Sequence, residues 1–361
     1  MTVTTVKCLV WDLDDTLWQG ILLEDGEVEL TEEIRKVVLA LDARGILQSV
    51  ASKNDHEPAW AKLEELGLAE YFVLPQIGWG TKSESVRTIA ERLKFALPTI
   101  AFVDDRPAER AEVAFHLPEV RCYPAEQAAA LADLPEFNPA VVTTDARRRR
   151  TMYQAGFRRD AERAGSAAPD AEFLRSLELV MRIGRATGED ISRVEELTLR
   201  TSQMNATGVH YPDERLRELL ADPGHEVLVT SMSDRFGPHG AVGVLLVERL
   251  ARRWHIKLLA TSCRVVSFGA GSTILDWLIG QAAAAGVHLT AAFRPTERNR
   301  MMEIAYRFAG FEEQPCACCS DAPDGERAAA DGVQLLHLLP GPRPGSPTVR
   351  LEAPDLTAPA G

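Results

Sequence analysis

The chain has 361 residues, of which 45% are hydrophobic, and its formal net charge is −13. This acidic balance disfavours nucleic acid or an anionic membrane as the main partner, because both repel a negatively charged protein. No apolar run reaches about 18 residues and no basic region precedes an apolar segment near Met1, so we expect neither a membrane span nor a signal peptide. Six scattered cysteines fit a reducing compartment, which predicts a cytoplasmic protein. This length predicts two domains.

Short apolar runs alternate with amphipathic helical patterns over residues 1–140. We predict strands at 8–11, 46–51, 71–74 and 99–103, with helices in the intervals. Repeated strand–helix units imply a parallel sheet with helices on its faces. Because ligands bind beyond the carboxyl ends of parallel strands, polar residues that follow these runs are candidates for a site.

Charged and hydroxyl side chains occur near the ends of these predicted strands. They are Asp12, Asp14 and Asp15 after the first run, Ser52 and Lys53 after the second, Lys82 after the third, and Asp104 and Asp105 after the fourth. Taken singly, each has an ordinary structural explanation: an acidic turn, a helix cap or a surface lysine. Together they supply what phosphoryl transfer needs, namely an attacking carboxylate, a carboxylic acid, a lysine and Mg²⁺ to neutralise charge, and a hydroxyl anchor.

This ordered set resembles the haloacid dehalogenase (HAD) phosphatase superfamily across the first domain. The resemblance implies that Asp12 is the nucleophile, that Asp14 is the general acid and base, and that Lys82 neutralises the phosphoryl group. It implies Ser52 as the phosphate anchor, and we add the adjacent Lys53 as a phosphate-binding candidate.

The same resemblance implies a Mg²⁺ cofactor. Its ligands would be Asp12, the backbone carbonyl of Asp14, and Asp104, with Asp105 nearby. The intervals between the first three motifs are about 35 and about 30 residues, and an ordinary strand–helix unit fills each of them. We therefore predict a capless domain with an open site, which suits a bulky or carrier-borne substrate.

Composition divides the rest of the chain into a linker, a second domain and a tail. Residues 141–170 are predicted as a helical linker whose four consecutive arginines form a solvated face more often than a docking site for an acidic partner. Residues 171–340 are predicted as the second domain. Residues 341–361 are rich in Pro and Gly, which predicts a disordered tail.

The second domain resembles the GNAT acyltransferase fold in its order of predicted strands and helices. A turn with Gly269 and Gly271 precedes a helix over 272–285, and in that fold such a turn holds a pyrophosphate through backbone N–H groups. The predicted fold class is α/β: a capless HAD-like Rossmannoid parallel-sheet domain followed by a GNAT-like α/β acyltransferase domain.

Short motifs in both domains resemble the FkbH-like branch of HAD proteins. They are Lys53–Asp55, Asp104–Pro107, Arg200–Asn205 (RTSQMN), Asp234–Gly237 (DRFG) and Ser262–Val265 (SCRV). That family makes glyceryl-acyl carrier protein for polyketide extender units. The resemblance implies that phosphoglycerate is taken from 1,3-bisphosphoglycerate as a thioester, dephosphorylated, and passed to the phosphopantetheine thiol of an acyl carrier protein.

The FkbH-like resemblance also implies roles for residues of the second domain. Cys263 is the candidate acyl acceptor, with His239 as its base and Arg264 as a cation that favours the thiolate. The candidate contacts for the acyl group or phosphopantetheine arm are Arg264, Gly269, Gly271 and Asn205. The alternative is that Cys263 is simply a small buried residue at the end of a strand.

Three positions depart from the family pattern S-C-R-V-x-G-R-G-x-E. Ser267, Phe268 and Gly271 replace a glycine, an arginine and an acidic residue, and loss of the arginine removes a potential phosphate contact. A different small acyl substrate is therefore an alternative.

Two further hypotheses stay open: a HAD phosphatase fused to a CoA-dependent N-acyltransferase in which Cys263 is inert, and a carrier-docking scaffold with a vestigial HAD site.

Three cysteines lie close together in the sequence, at Cys316, Cys318 and Cys319. Structural zinc usually has four ligands, and neither a second cysteine pair nor a histidine is near them in the sequence. We therefore predict a loop with free thiols and regard metal binding there as incidental.

Overall fold

The computed structural model describes residues 4–139, 142–200, 204–296, 299–313, 316–317 and 332–358, without the side chains of Leu199, Arg200 and Cys263. The chain divides into two compact units, Met1–Phe157 and Arg158–Gly361. The boundary lies inside a helix of the stretch predicted as a linker. No helix among the described residues is long and apolar enough to cross a membrane.

The first unit is built on a five-stranded parallel sheet. Its strands are β1 (Cys8–Trp11), β2 (Leu47–Ser52), β3 (Gln76–Ile77), β4 (Ile100–Asp104) and β5 (Arg121–Pro124). The order across the sheet is β3-β2-β1-β4-β5. β1, β2 and β4 are buried along their whole length. This explains why β1 and most of β4 appear in the sequence as unbroken rather than alternating apolar runs. β2 differs, because it also buries the polar Gln48 and Ser49.

Helices cover both faces of this sheet, and each face has its own apolar cluster. They are α1 (Leu22–Asp25), α2 (Glu32–Ala43), α3 (His56–Glu65), α4 (Lys82–Leu93), α5 (Pro107–His116), α6 (Thr144–Arg147) and α7 (Arg149–Gly165). Short 3₁₀ helices lie at 69–71, 97–99, 125–133 and 135–137. The hydroxyls of Thr31 and Thr81 cap α2 and α4 by accepting backbone N–H groups of their first turns.

The second unit contains a seven-stranded mixed sheet. Its strands are β6 (Leu179–Arg185), β7 (His225–Asp234), β8 (Gly237–Arg249), β9 (Arg253–Thr261), β10 (His288–Phe293), β11 (Gln334–Leu338) and β12 (Val349–Glu352). Its helices are α8 (Asp170–Ser176), α9 (Ile191–Arg200), α10 (Asp213–Ala221), α11 (Ala270–Ala285) and α12 (Arg300–Ala309). The order is β11-β10-β9-β8-β7-β6-β12.

The connection that matters for a site in this unit runs from β9 to β10. These two strands are parallel, whereas β6 to β9 pair antiparallel in sequence. A parallel pair requires a crossover, which here comprises a 3₁₀ helix (Cys263–Phe268) and α11. The predicted fold class, a parallel α/β sheet domain followed by a second α/β domain, is confirmed.

The tail differs from its sequence-based prediction of disorder. Residues 349–352 form β12, which pairs in parallel with β6 at the edge of the second sheet. Val349 and Leu356 are buried in the core of the second unit. The Pro and Gly residues around this segment make its composition typical of disorder. Its few apolar side chains are nevertheless enough to anchor it to an otherwise open sheet edge.

Candidate active site

The site in the first unit lies at the carboxyl ends of β1, β2 and β4. β1 pairs with β2 on one side and β4 on the other, so the residues that follow these three strands meet at one edge. The chain adds β2 and β3 on one side of β1 and then crosses to add β4 and β5 on the other, which makes this edge the switch point where α/β sheets bind ligands. Asp12, Ser52 and Asp104 are all buried there.

Lys82 connects two of these carboxylates. Its ammonium donates to Oδ1 of Asp12 and to the carbonyl of Ala51 at 2.6 Å, and it lies 3.2 Å from Oδ2 of Asp104. Lys82 is buried at the first turn of α4, so its charge is little screened by solvent. The lysine and the two acids that sequence reasoning selected therefore lie in direct contact.

The negative charge of the carboxylates at this edge is only partly neutralised by positively charged protein groups. Burial raises the pKa of Asp12 to about 6, with Lys82 opposing the rise and Asp104 adding to it. Burial also raises the pKa of Asp104 and of Asp105. Oδ2 of Asp104 is buried and makes no hydrogen bond, since its contact with Lys82 lacks hydrogen-bond geometry.

These features fit a bound cation. Carboxylate oxygens of Asp12, Asp104 and Asp105 lie within 4.8 Å of one another, and hard oxygen donors are the ligands that Mg²⁺ prefers. A cation there would give Oδ2 of Asp104 a second partner besides the ammonium of Lys82, which lies 3.2 Å away, and would favour the ionised carboxylates. The carboxylate of Asp14 is not a member of this group, and the role of its backbone carbonyl stays a prediction.

The carboxylate of Asp14 instead lies in a cradle of hydrogen-bond donors. Its Oδ1 accepts from the indole of Trp18 at 2.9 Å and from the backbone N–H of Leu22 at 3.1 Å. Its Oδ2 accepts from the side-chain amide of Asn54 at 3.1 Å. Three donors from separate positions fix the orientation of this carboxylate, as a general acid and base requires.

The turn after β1 is shaped by Asp15 and Thr16. Asp15 adopts a left-handed backbone conformation with φ of 51°, which non-glycine residues rarely do, and its Oδ1 accepts the N–H of Gly20 at 2.9 Å. The hydroxyl of Thr16 accepts the N–H of Asp105 at 2.9 Å, which joins the turn to the end of β4. The loop over residues 19–29 contains α1, and an antiparallel bridge between Gln19 and Glu29 joins its two ends.

The two predicted phosphate-binding residues at the end of β2 have different surroundings. Ser52 is buried as the last residue of that strand. Lys53 pairs with Glu109 of α5, with Nζ 2.7 Å from Oε1, so its charge is already matched by a carboxylate. Their roles stay predictions.

Asn54 belongs to the Lys53–Asp55 motif, and its sequence position alone indicates no role for it. Its buried amide contacts Asp14, as described above, and no local pattern reveals this because the two residues follow different strands. Arg110 was missed as well: its guanidinium donates to the carbonyls of Asp104 and Asp105 at 2.6 and 2.8 Å and holds the end of β4.

In the second unit, the candidate acyl-binding turn follows the carboxyl end of β9. The side chain of Cys263 lies outside the described residues, although its backbone begins the 3₁₀ helix that leads to α11. The side chain of Arg264 is exposed and contacts Ser262, with Nε 3.3 Å from Oγ. Gly269 has φ of 73° and precedes α11, and Gly271 lies in the first turn of that helix.

His239 belongs to a buried network with Asp234 and Arg159. Its Nε2 lies 3.1 Å from Oδ2 of Asp234, which also accepts from the guanidinium of Arg159. Although burial opposes the shift, these two partners lower the pKa of Asp234 to about 2. The imidazole packs edge-on against Phe268, with ring centroids 5.3 Å apart. His239 is therefore oriented by a carboxylate and lies beside the turn that contains the candidate acyl site.

Asn205 has a structural environment. Its Oδ1 accepts the N–H groups of Thr207 and Gly208 at 3.0 and 2.8 Å, and its Nδ2 contacts the carbonyl of Val209 at 3.3 Å. The side chain is buried within its own turn. Its predicted contact with an acyl group or phosphopantetheine arm stays a prediction.

No family model matches the chain, and neither does any curated protein. Solved structures do resemble it. The N-terminal part of BF1531 from Bacteroides fragilis, which contains a phosphatase domain complexed with Mg, is 28% identical with a TM-score of 0.34, over 37% of this chain and 40% of that one. The chain thus spans less than half of that structure.

Other solved structures resemble the chain over a somewhat larger share of its length. The GNAT-family acetyltransferase of Streptococcus pneumoniae is 17% identical with a TM-score of 0.32, over 45% of this chain and 99% of that one. The ribosomal-protein-S18-alanine N-acetyltransferase of Escherichia coli is 14% identical with a TM-score of 0.33, over 46% and 98%. The structural neighbours include a phosphatase domain and GNAT acetyltransferases, as predicted for a HAD domain followed by a GNAT-like domain; the FkbH-like assignment stays a prediction.

Proposed function

We propose that the chain is a bifunctional enzyme, a Mg²⁺-dependent HAD-type phosphatase joined to an acyltransferase. The observation that carries the phosphatase half is the contact of Lys82 with both Asp12 and Asp104 at the carboxyl edge of a parallel sheet. A buried ammonium beside a nucleophilic carboxylate is suited to neutralise the oxygens of a phosphoryl group.

The phosphatase reaction would proceed in two steps. Asp12 attacks phosphorus, and the bond to the ester oxygen breaks to leave an aspartyl phosphate, while Asp14 gives its proton to the departing oxygen. Asp14 then takes a proton from water, whose oxygen attacks the aspartyl phosphate and releases inorganic phosphate. Trp18, Leu22 and Asn54 hold Asp14 in place for both proton transfers.

The metal would be held by Asp12, Asp104 and Asp105, with the backbone carbonyl of Asp14 as a further ligand. When bound, Mg²⁺ supplies positive charge against the phosphoryl oxygens. Lys82 adds a fixed positive charge on the protein side.

For the second unit we propose the loading of a glyceryl group onto an acyl carrier protein. The Cys263 thiolate attacks the carbonyl carbon of 1,3-bisphosphoglycerate, and the bond between that carbon and the acyl phosphate oxygen breaks. The first unit removes the remaining phosphate, and the phosphopantetheine thiol displaces Cys263. Support comes from the SCRV motif and from His239, which Asp234 orients as a base requires.

Intact-mass analysis of the carrier protein tests this proposal. Incubation of the chain with 1,3-bisphosphoglycerate, Mg²⁺ and the holo-carrier should add a glyceryl group to the carrier. Asp12→Asn should stop the process at the phosphoglyceryl stage, and Cys263→Ser should prevent loading while leaving hydrolysis of a small phosphate ester intact. Asp133→Asn, at an exposed position that ends a 3₁₀ helix, is the matched control. A holo-carrier that gains no mass contradicts the loading half alone.

A CoA-dependent N-acyltransferase is the second candidate for this unit. The observation that favours it is the turn at Gly269 before the N-terminus of the 16-residue helix α11, because such a turn presents backbone N–H groups to a pyrophosphate. Calorimetric titration with acetyl-CoA distinguishes the two candidates. Tight binding that Cys263→Ala leaves unchanged would support the N-acyltransferase.

A further inference from the structure

Three metal-ligand side chains meet at one edge of the second sheet. Nδ1 of His288 lies 3.1 Å from Nε2 of His337 and 3.2 Å from Sγ of Cys316. The ligand atoms of all three residues lie within 4.8 Å of one another. Residues 288, 316 and 337 belong to three separate segments, so this convergence is a product of the fold.

The register of the sheet explains how the two histidines meet. His288 begins β10, and His337 on β11 pairs with Thr290, two residues further along β10. Alternate residues of a strand share a face, so both imidazoles lie on the face opposite Leu289 and Ala291, which pack into the core. Thr290 is fully buried between them and His255 of β9, whose Nδ1 lies 3.0 Å from its hydroxyl.

Cys316 reaches this face because its segment is tied to β11. Glu312 and His337 exchange two backbone hydrogen bonds, at 2.9 and 2.8 Å, which attaches the chain after Phe311 to the free edge of the strand. Four residues later the thiol lies beside His288. Cys316 is present as a thiol, as predicted, and Cys318 and Cys319 lie outside the described residues. His288 and His337 are distant from Cys316 along the chain but lie beside it in the fold.

The donor set and its spacing fit zinc. Two imidazole nitrogens and a thiolate are ligands that Zn²⁺ favours over Mg²⁺. A tetrahedral zinc with bonds of about 2.0 to 2.3 Å separates neighbouring donors by about 3.4 Å, close to the contacts observed. We propose that His288, Cys316 and His337 form a zinc site that fastens the segment after α12 to the edge of the second sheet.

This site is separate from the proposed acyl chemistry. His288 pairs with Arg253, the first residue of β9, whereas the turn at Cys263 follows Thr261 at the other end of that strand. At about 3.3 Å per residue the two ends are about 25 Å apart. The zinc site therefore lies outside the proposed acyl chemistry. Its three protein ligands leave the fourth tetrahedral position to a water molecule, and its occupancy should affect the stability of the second unit.

Cobalt substitution tests the site in the full chain. Co²⁺ titrated in the presence of excess Mg²⁺ should produce a sulfur-to-cobalt charge-transfer band and the strong visible bands of four-coordinate cobalt. The carboxylate site of the first unit offers only oxygen ligands and yields neither. Cys316→Ser and His288→Gln should each weaken binding by about 100-fold or more, since loss of a group that only hydrogen-bonds to a ligand already weakens metal binding by about 10- to 100-fold. Cys122→Ser, which replaces a half-buried cysteine of the first unit, should leave the titration unchanged.

Zinc content provides a measurement that does not depend on the variants folding. The purified wild-type chain should bind one equivalent of zinc, and a chelator should lower its melting temperature (Tm). A wild-type chain that shows no sulfur-to-cobalt band overturns the proposal. So does a band of unchanged affinity in folded Cys316→Ser and His288→Gln.

Discussion

Asn54 donates its side-chain amide to Oδ2 of Asp14 at 3.1 Å, across the ends of two neighbouring parallel strands. The amide is fully buried, and its own Oδ1 accepts the N–H of Asp55 at 2.8 Å, which fixes its orientation. The proposed general acid and base is therefore positioned from the adjacent strand end as well as from its own loop.

We predict that Asn54→Ala lowers the turnover number for a small phosphate ester by about 10- to 100-fold, because Asp14 loses one of its orienting donors. The Mg²⁺ concentration for half-maximal activity should change little, since Asn54 does not contact the carboxylates of the metal group. Steady-state kinetics over a Mg²⁺ series measures both quantities. Asn138→Ala removes an amide that contacts only backbone carbonyls and serves as the control. Equal turnover numbers in the two variants would contradict a role of Asn54 in orienting Asp14.

Lys82→Met should reduce phosphatase turnover by at least about 100-fold, since it removes the fixed positive charge from the phosphoryl site. It also leaves Asp12 and Asp104 without their shared partner, and breaking a buried ion pair destabilises a protein by about 3–5 kcal/mol. Chemical denaturation should show this loss, and Mg²⁺ should recover part of it. Lys62→Met, which breaks a pair between a half-buried lysine and the exposed Glu65, should change stability by less than about 1 kcal/mol. A Lys82→Met chain as stable as the wild type without Mg²⁺ would contradict the ion-pair role.

The stability of the first unit should depend on pH and Mg²⁺ together. Because burial raises the pKa of Asp12 from 3.8 to about 6, the folded chain holds a proton that the unfolded chain has lost between those values. Without Mg²⁺, stability should therefore fall as pH rises from 3.8 to about 6, by up to about 3 kcal/mol.

Mg²⁺ requires the ionised carboxylate, so the stabilisation that it confers should grow as pH rises towards 6 and level off above it. Thermal unfolding with and without Mg²⁺ over this range measures the effect. Asp12→Asn, which cannot titrate, is the control and should show a smaller pH dependence. Stabilisation by Mg²⁺ that stays constant across the range would argue against Asp12 as a ligand.

Two glycines at helix ends form a matched pair for a packing test. Gly45 and Gly67 have φ of 72° and 66°, but a Cβ on Gly45 would lie 2.3 Å from the carbonyl oxygen of Ala146, whereas one on Gly67 meets nothing within 4 Å. Gly67→Ala should destabilise by about 1–2 kcal/mol from backbone strain alone. Gly45→Ala should destabilise by at least about 2 kcal/mol more, because backbone must move. Urea denaturation of both variants decides this, and equal losses would show that α6 does not pack closely here.

The sequence by itself was enough to predict β1, β2 and β4 and the cluster of acids at their ends. The predicted strand at 71–74 was wrong, since β3 is Gln76–Ile77, and β5 was not predicted. Strands buried on both faces are unbroken apolar runs, and the carboxyl ends of such strands share an edge whatever the loops do. The sequence thus predicts that Asp12, Lys82 and Asp104 belong to one site. In the structure, Lys82 forms a hydrogen bond with Asp12 and an ion pair with Asp104.

Only the tertiary structure decided which side chains meet across strands and segments. The contact of Asn54 with Asp14, the edge strand formed by residues 349–352, and the meeting of Cys316 with His288 and His337 each depend on strand register and on where a loop returns to a sheet. Local periodicity predicts the face of an element on which a residue lies, but it does not predict which residues of other strands lie beside it. The acidic site after β1 could therefore be predicted from the sequence. The histidine–cysteine cluster could not, because it forms only where segments far apart in sequence pack side by side.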